Sequence, residues 1–195
     1  SCEDQDFTDV NNDATRVEVN TISAEMAKVR DYVPPYAVMA HRGSTFWAPE
    51  ETESAWRWAR EMGADYLESD LQCTKDGVIL ANHDDNLKRT TNIENVYSEL
   101  VPATRKAFYM RHGMSEAEAE KLVEADKASF RPYYAMSYMY EELLALDAGS
   151  WFNETSIEQA RESFSEQHQY ISALEDQIRY AEGKMLKRDV NGERI

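Results

Sequence analysis

The stretch from Ala37 to Asn92, AVMAHRGSTFWAPEETESAWRWAREMGADYLESDLQCTKDGVILANHDDNLKRTTN, decides how the rest of this 195-residue chain is read. Tyr36 to Ala40 is a short apolar run between Pro34-Pro35 and Arg42-Gly43, which predicts a buried strand with His41 at its carboxyl end. Pro49 followed by Glu50 and Glu51 opens a helix, since proline fits a first turn and acids favour the positive end of the dipole. Ala55, Ala59 and Met62 are its expected inward face, and Gly63 its cap. Ala64 to Cys73 is the next predicted strand, with Cys73 read as a small buried hydrophobe. Strand, helix and strand in this order form a βα repeat and point to a parallel sheet or barrel.

Lys75-Asp76-Gly77 predicts a turn, and Val78 to His83 a further strand. If Asp76-Gly77 is a two-residue hairpin turn, Asp70 pairs directly with His83. Glu68 and Asp70 are two residues apart and share a strand face. Two carboxylates on one face can hold a hard cation such as Ca²⁺ or Mg²⁺. Such an ion polarises a phosphoryl oxygen, an arginine binds phosphate in a bidentate manner, and two histidines divide the work of base and acid. Taken singly, His41 or His83 is an ordinary strand-end residue, and Arg42 a counter-ion for the acids. Glu68 and Asp70 are harder to dismiss, because an unpaired charge in an apolar strand is costly.

Working outward, residues 1–35 read as a polar leader ending in a short helix, Thr21 to Val33, with Ile22, Met26, Val29 and Val33 on one face. Ser1-Cys2 resembles the mature start of a bacterial lipoprotein, which implies a lipid anchor at Cys2 and an exported, periplasmic or outer-membrane-anchored protein. Downstream, helical signals fill about 93–146: Val96 to Met110, then a capping box at Ser115-Glu116-Ala117-Glu118 opening a helix to Ala128. Tyr133, Tyr134, Met136, Tyr138, Met139 and Tyr140 are the expected core of this insertion. Leu146 to Phe152 returns toward the sheet. Helices are predicted from Ser156 to Phe164 and from Ser172 to Lys187, the second on a capping box at Ser172-Ala173-Leu174-Glu175, and Arg188 to Ile195 is a polar loop.

Bulk properties narrow the function. The net charge of −16, from 37 acidic against 21 basic residues, repels phosphate polymers and excludes a nucleic-acid partner. No apolar run reaches the roughly 18 residues of a membrane span. An apolar fraction of 42% is that of a folded domain rather than a disordered tail.

The motifs resemble those of the glycerophosphodiester phosphodiesterase family, whose pattern runs His-Arg-Gly, Pro-Glu-Asn-Thr, Gly-Ala-Asp-x-x-Glu-x-Asp, Thr-Lys-Asp-Gly, His-Asp and Arg-Thr-Thr. Here they stand as His41-Arg42-Gly43, Pro49-Glu50-Glu51-Thr52, Gly63-Ala64-Asp65-Tyr66-Leu67-Glu68-Ser69-Asp70, Thr74-Lys75-Asp76-Gly77, His83-Asp84 and Arg89-Thr90-Thr91. The resemblance runs from about Tyr36 to Ile195. It implies a TIM (β/α)8 barrel with a helical insertion, of which this chain supplies only the first part, since such a barrel takes about 250 residues. His41 and His83 are then the acid and base, Arg42 and Glu50 bind or brace the phosphate, and Glu68 and Asp70 hold one divalent cation, Ca²⁺ or Mg²⁺. The implied reaction hydrolyses a glycerophosphodiester to glycerol 3-phosphate and an alcohol. The family's third metal carboxylate, in a Glu-x-Lys segment, is expected beyond Ile195, and Glu51 replaces the family's Asn. Two other readings stay open: a binding domain with a degenerate site, and a related phosphodiesterase acting on lysophospholipid or inositol head groups.

Overall fold

The computed structural model describes residues 23–25, 28, 36–155 and 168–195. The chain divides into two units, Ser1–Tyr36 and Ala37–Ile195. In the first, residues 24, 25 and 28 are helical and Ser23 is not, while Cys2 and the other residues of the expected Thr21–Val33 helix lie outside the described residues. So does the Ser156–Phe164 helix.

The second unit opens with β1 (Met39–His41), α1 (Glu53–Glu61) and β2 (Tyr66–Glu68). The strands pair in parallel with Met39 opposite Tyr66 and His41 opposite Glu68. The predicted βα repeat is therefore present, although β1 starts three residues later and ends one later than expected, and Met39 is exposed. The helix starts later than Pro49, because the Thr52 hydroxyl donates to the Pro49 carbonyl at 2.7 Å and holds that segment as a turn. Ala55, Trp56 and Ala59 form the buried face of α1. Met62, expected inward, is 66% exposed, whereas Trp56 is fully buried against Ala81 and Tyr180. Gly43 is held by close approach: a Cβ there would stand 2.6 Å from the Ala55 Cβ, and its φ is +91°.

The expected strand from Ala64 to Cys73 is in fact two. After Glu68 the chain leaves the first sheet, passes through Ser69 and Asp70, and enters a second as β3 (Leu71–Cys73). There β3 pairs antiparallel with β4 (Ile79–Ala81), and β4 with β5 (Ser172–Ala173). Leu71 lies opposite Ala81. The Asn82 N–H donates to the Asp70 carbonyl, so Asp70 faces Asn82 and not His83. The one-residue shift comes from the turn. Thr74 N–H bonds the Val78 carbonyl, which closes a loop of Lys75, Asp76 and Gly77 with Gly77 at φ +85°. A glycine in the left-handed region is what a three-residue hairpin with a bulge requires. Strand alternation then places Cys73 on the open face with Leu71, so the thiol is exposed, contrary to expectation.

The helical stretch begins and ends at one point: Asn92 N–H donates to the Asp147 carbonyl, and Asp147 N–H to the Asn92 side chain. It contains α2 (Ile93–Val96), α3 (Arg105–Arg111), α4 (Glu116–Ser129), a 3₁₀ turn (Ala135–Ser137) and α5 (Tyr140–Leu143), and α6 (Ser150–Thr155) follows it. The predicted Val96–Met110 helix is broken, since Pro102 biases Val101 away from helical ψ and Tyr97 is already extended. The Ser115–Glu118 capping box is formed as read, and α4 runs one residue past Ala128. Tyr138, Met139 and Tyr140 are buried whereas Met136 is 61% exposed. Tyr138 and Tyr140 share one core with Leu80 of β4, Leu143, Leu146 and Ile171, so the insertion packs onto the sheet rather than around itself.

At its centre Arg105 is fully buried. It donates to both oxygens of Glu142 at 2.7 and 2.8 Å, to Asp126 at 2.9 Å and to the Ser137 carbonyl at 2.9 Å. The chain closes with α7 (Leu174–Ala181). Its cap is one residue later than the predicted box: the Ala173 N–H donates to Asp176, because Ser172 and Ala173 are used as strand. The helix also stops at Ala181, short of Lys187, with Gly183 at positive φ just beyond. In the terminal segment Arg188 and Arg194 both ion-pair with the buried Asp176.

Candidate active site

Parallel pairing of His41 with Glu68 places both at the carboxyl ends of their strands, and Asp70 follows two residues on. His41, Glu68 and Asp70 each offer one ligand atom, and these atoms lie within 4.8 Å of one another. The backbone at this edge is bent sharply. Arg42 and Glu51 both adopt φ +57°, a conformation uncommon outside glycine that concentrates at functional sites. It is stabilised locally: Arg42 N–H donates to the Glu68 carbonyl and to Glu68 Oε2, and Glu51 N–H to the Arg42 carbonyl at 2.9 Å.

The Arg42 guanidinium lies between two acids, with Nε 3.0 Å from Asp70 Oδ2 and Nη1 3.3 Å from Glu50 Oε1. The first contact is an ion pair off the line of a hydrogen bond, so Arg42 Nε and Asp70 Oδ2 are both buried without a hydrogen-bond partner. Arg89 then grips Glu50 through both carboxylate oxygens, at 2.7 and 3.2 Å. It also grips Asp84 through both, at 2.7 and 3.0 Å. Hydrogen bonds from Arg89 hold the Asp84 carboxyl down at about 2. Asp84 Oδ1 in turn lies 2.5 Å from His83 Nδ1. Because an ionised carboxylate only accepts, that nitrogen carries the proton and Nε2 is left as the open lone pair.

The six residues singled out in the sequence thus occupy one edge of the fold in two groups. Glu68 and Asp70 converge with His41, not with His83 as the hairpin argument expected. Arg42 and Glu50 adjoin them. His83 stands apart from the carboxylate cluster, 44% exposed, and is tied to it by alternating charges running Asp84, Arg89, Glu50, Arg42, Asp70. The linking roles of Asp84 and Arg89 were invisible in the sequence, although both lie in recognised motifs.

Glu51 is the other residue whose part was missed. It is 3% exposed, and its Oε1 accepts from the Asp70 N–H at 2.6 Å and from the Ser69 hydroxyl at 3.3 Å. Its Oε2 is buried with no hydrogen-bond partner. Burial, aided by the neighbouring charges of Asp70 and Glu50, pushes its carboxyl up to about 7.

These residues fit a divalent cation. Asp70 Oδ2 is a buried acceptor with no hydrogen-bond donor, and the cluster supplies two carboxylates and an imidazole. A donor set rich in carboxylate oxygen suits a hard divalent ion.

A match to the glycerophosphoryl diester phosphodiesterase family covers residues 41–191. A glycerophosphodiester phosphodiesterase of Bacillus subtilis is 32% identical over 126 residues, which are 65% of this chain and 30% of that protein. A glycerophosphoinositol inositolphosphodiesterase of Mus musculus is 30% identical over 127 residues, 65% of this chain and 18% of that protein. Among solved structures, an Oleispira antarctica phosphodiesterase in complex with sn-glycerol-3-phosphate aligns with 79% of this chain and 42% of that one, at 23% identity and a TM-score of 0.49. The chain therefore spans less than a third of the length of either relative. With the family match running from His41 through the whole motif series and beyond the insertion, this chain belongs to the glycerophosphoryl diester phosphodiesterase family.

Proposed function

We propose that the protein carrying this chain hydrolyses glycerophosphodiesters to sn-glycerol 3-phosphate and an alcohol. The observation that supports it most is the convergence of His41, Glu68 and Asp70 beside Arg42. Glu68 and Asp70 would hold a divalent cation, Ca²⁺ or Mg²⁺, which when bound polarises a phosphoryl oxygen and offsets charge building there. Arg42 has five N–H donors, of which one on Nη1 goes to Glu50 while Nε faces Asp70 in an ion pair, so the remainder of its fork is available to a phosphate oxygen. His83, with Nδ1 held by Asp84, presents Nε2 to take a proton from the attacking water. His41 returns a proton to the leaving alkoxide as the phosphorus–oxygen bond breaks, so the net change is addition of water across that bond. Glu50 keeps Arg42 and Arg89 in register.

The assay is glycerol 3-phosphate release from glycerophosphocholine by the full-length protein, with and without chelator. Chelator-sensitive release is the expected result. The name of the mouse relative makes glycerophosphoinositol the second substrate to include, because cleavage on the glycerol side of its phosphorus would leave inositol phosphate and glycerol instead of glycerol 3-phosphate. No phosphomonoester from either compound would favour a binding domain with a degenerate site.

A further inference from the structure

Asp70 lies in the short passage between β2 and β3 where the chain changes sheet. Its carbonyl is met by Asn82 N–H, but its own N–H points away from that partner. The group that satisfies it is the Glu51 carboxylate, at 2.6 Å, and the same oxygen receives the Ser69 hydroxyl. Glu51 can reach there only because its backbone is in the left-handed region, fixed by its N–H on the Arg42 carbonyl. A buried peptide N–H that loses its acceptor costs about 1–3 kcal/mol, which is enough to turn the peptide plane toward another partner. Turning the Ser69–Asp70 peptide would swing the Asp70 side chain out of the cluster it shares with His41 and Glu68.

We propose that Glu51 is a positioning residue for the cation site, clamping the Ser69–Asp70 peptide so that the Asp70 carboxylate stays aimed at His41 and Glu68. This rests on the reading of that cluster as a cation site. The second oxygen of Glu51 supports the assignment: it is buried, without a hydrogen-bond partner, in the same small region as Asp70 Oδ2, which has the Arg42 ion pair but no hydrogen bond.

The test compares the full-length wild type with Glu51→Ala and Glu51→Gln. Ca²⁺ and Mg²⁺ are titrated by calorimetry, and exchange of the Asp70 amide is followed by NMR in the cation-free protein. Glutamine keeps an oxygen that can accept from Asp70, so Glu51→Gln should bind cation close to wild type and serves as the folded control should the alanine variant unfold. Glu51→Ala should weaken cation binding by about 10- to 100-fold, the usual effect of losing a group that orients a ligand, and should speed exchange of the Asp70 amide. Wild-type affinity with an unchanged Asp70 amide in Glu51→Ala would overturn the proposal. Equal weakening in both variants would also overturn it, by making charge rather than grip the contribution. If the wild type binds neither cation, the reading of the cluster fails. Faster Asp70 exchange in Glu51→Ala would then still uphold the clamp.

Discussion

Two charged networks lie within this fold, and they are built to opposite ends. Around Arg105, in the helical stretch, a fully buried guanidinium has Glu142, Asp126 and the Ser137 carbonyl as acceptors. The acids are further engaged by Lys75, Tyr109 and the Met139 N–H. Around Arg42, at the strand ends, Arg42 Nε, Asp70 Oδ2 and Glu51 Oε2 are all buried and without hydrogen bonds. Such atoms also occur singly at Trp56, Tyr140 and Asp176, but the three here adjoin the His41, Glu68 and Asp70 cluster, so they mark an edge where stability has been given up for a ligand. The satisfied network is structural by the same standard: it joins the β3–β4 turn, through Lys75, to α3, α4 and α5.

This contrast can be broken by substitution. The largest effect is expected on turnover: His41→Ala or His83→Ala in the full-length protein should lower kcat by about 10²- to 10⁴-fold while the thermal midpoint stays near wild type. Near-normal rates in either variant would remove the catalytic half of the comparison. Next, Arg105→Ala should destabilise by about 3–5 kcal/mol, read from denaturant unfolding, because it strands Glu142 and Asp126 in the interior. Asp70→Asn should do the reverse, with a stability change within about 1 kcal/mol and calorimetric cation binding abolished. If Arg105→Ala proves mild and Asp70→Asn unfolds the protein, the two networks have been assigned the wrong way round.

How much of this could be read beforehand depended on whether the physics was local. Membership of the family carries the TIM-barrel class with it, and the β1–α1–β2 unit was visible as a change of hydrophobic period within the motif stretch. So was the Ser115 capping box, a signal confined to four residues. The errors came where one residue changed a count. A three-residue loop at Lys75–Gly77 moved Asp70 opposite Asn82, and with a period of two such a shift changes which side chains meet. Asp76-Gly77 reads as a two-residue turn by itself; Thr74, whose hydroxyl donates to Asp76 and receives the Val78 N–H, is what makes the longer loop. The link through Arg89 was not legible at all, because it joins Glu50 to Asp84 across 39 and 5 positions of sequence that no periodicity relates.

That link supplies the smallest and most diagnostic effect. Asp84 has its carboxyl held down from 3.8 to about 2, chiefly by hydrogen bonds from Arg89 and then from His83. An acid depressed in the folded state stabilises it at every pH above the unfolded value. The contribution is therefore full above about 4 and is lost as pH falls through about 2. The depression amounts to no more than ~2 kcal/mol, and because Arg89 is 44% exposed, solvent screening reduces it to ~1 kcal/mol. Acid unfolding of the wild type and of Asp84→Asn should then show a stability difference of that size at pH 5, shrinking to nothing near pH 2. At neutral pH the same variant should lower kcat without moving KM, since an amide can donate to His83 Nδ1 and so favours the tautomer with the proton on Nε2. A pH-independent stability difference would mean that Asp84 acts through packing. The alternating charges between the two histidines would then be a surface feature, like the many exposed ion pairs that contribute little.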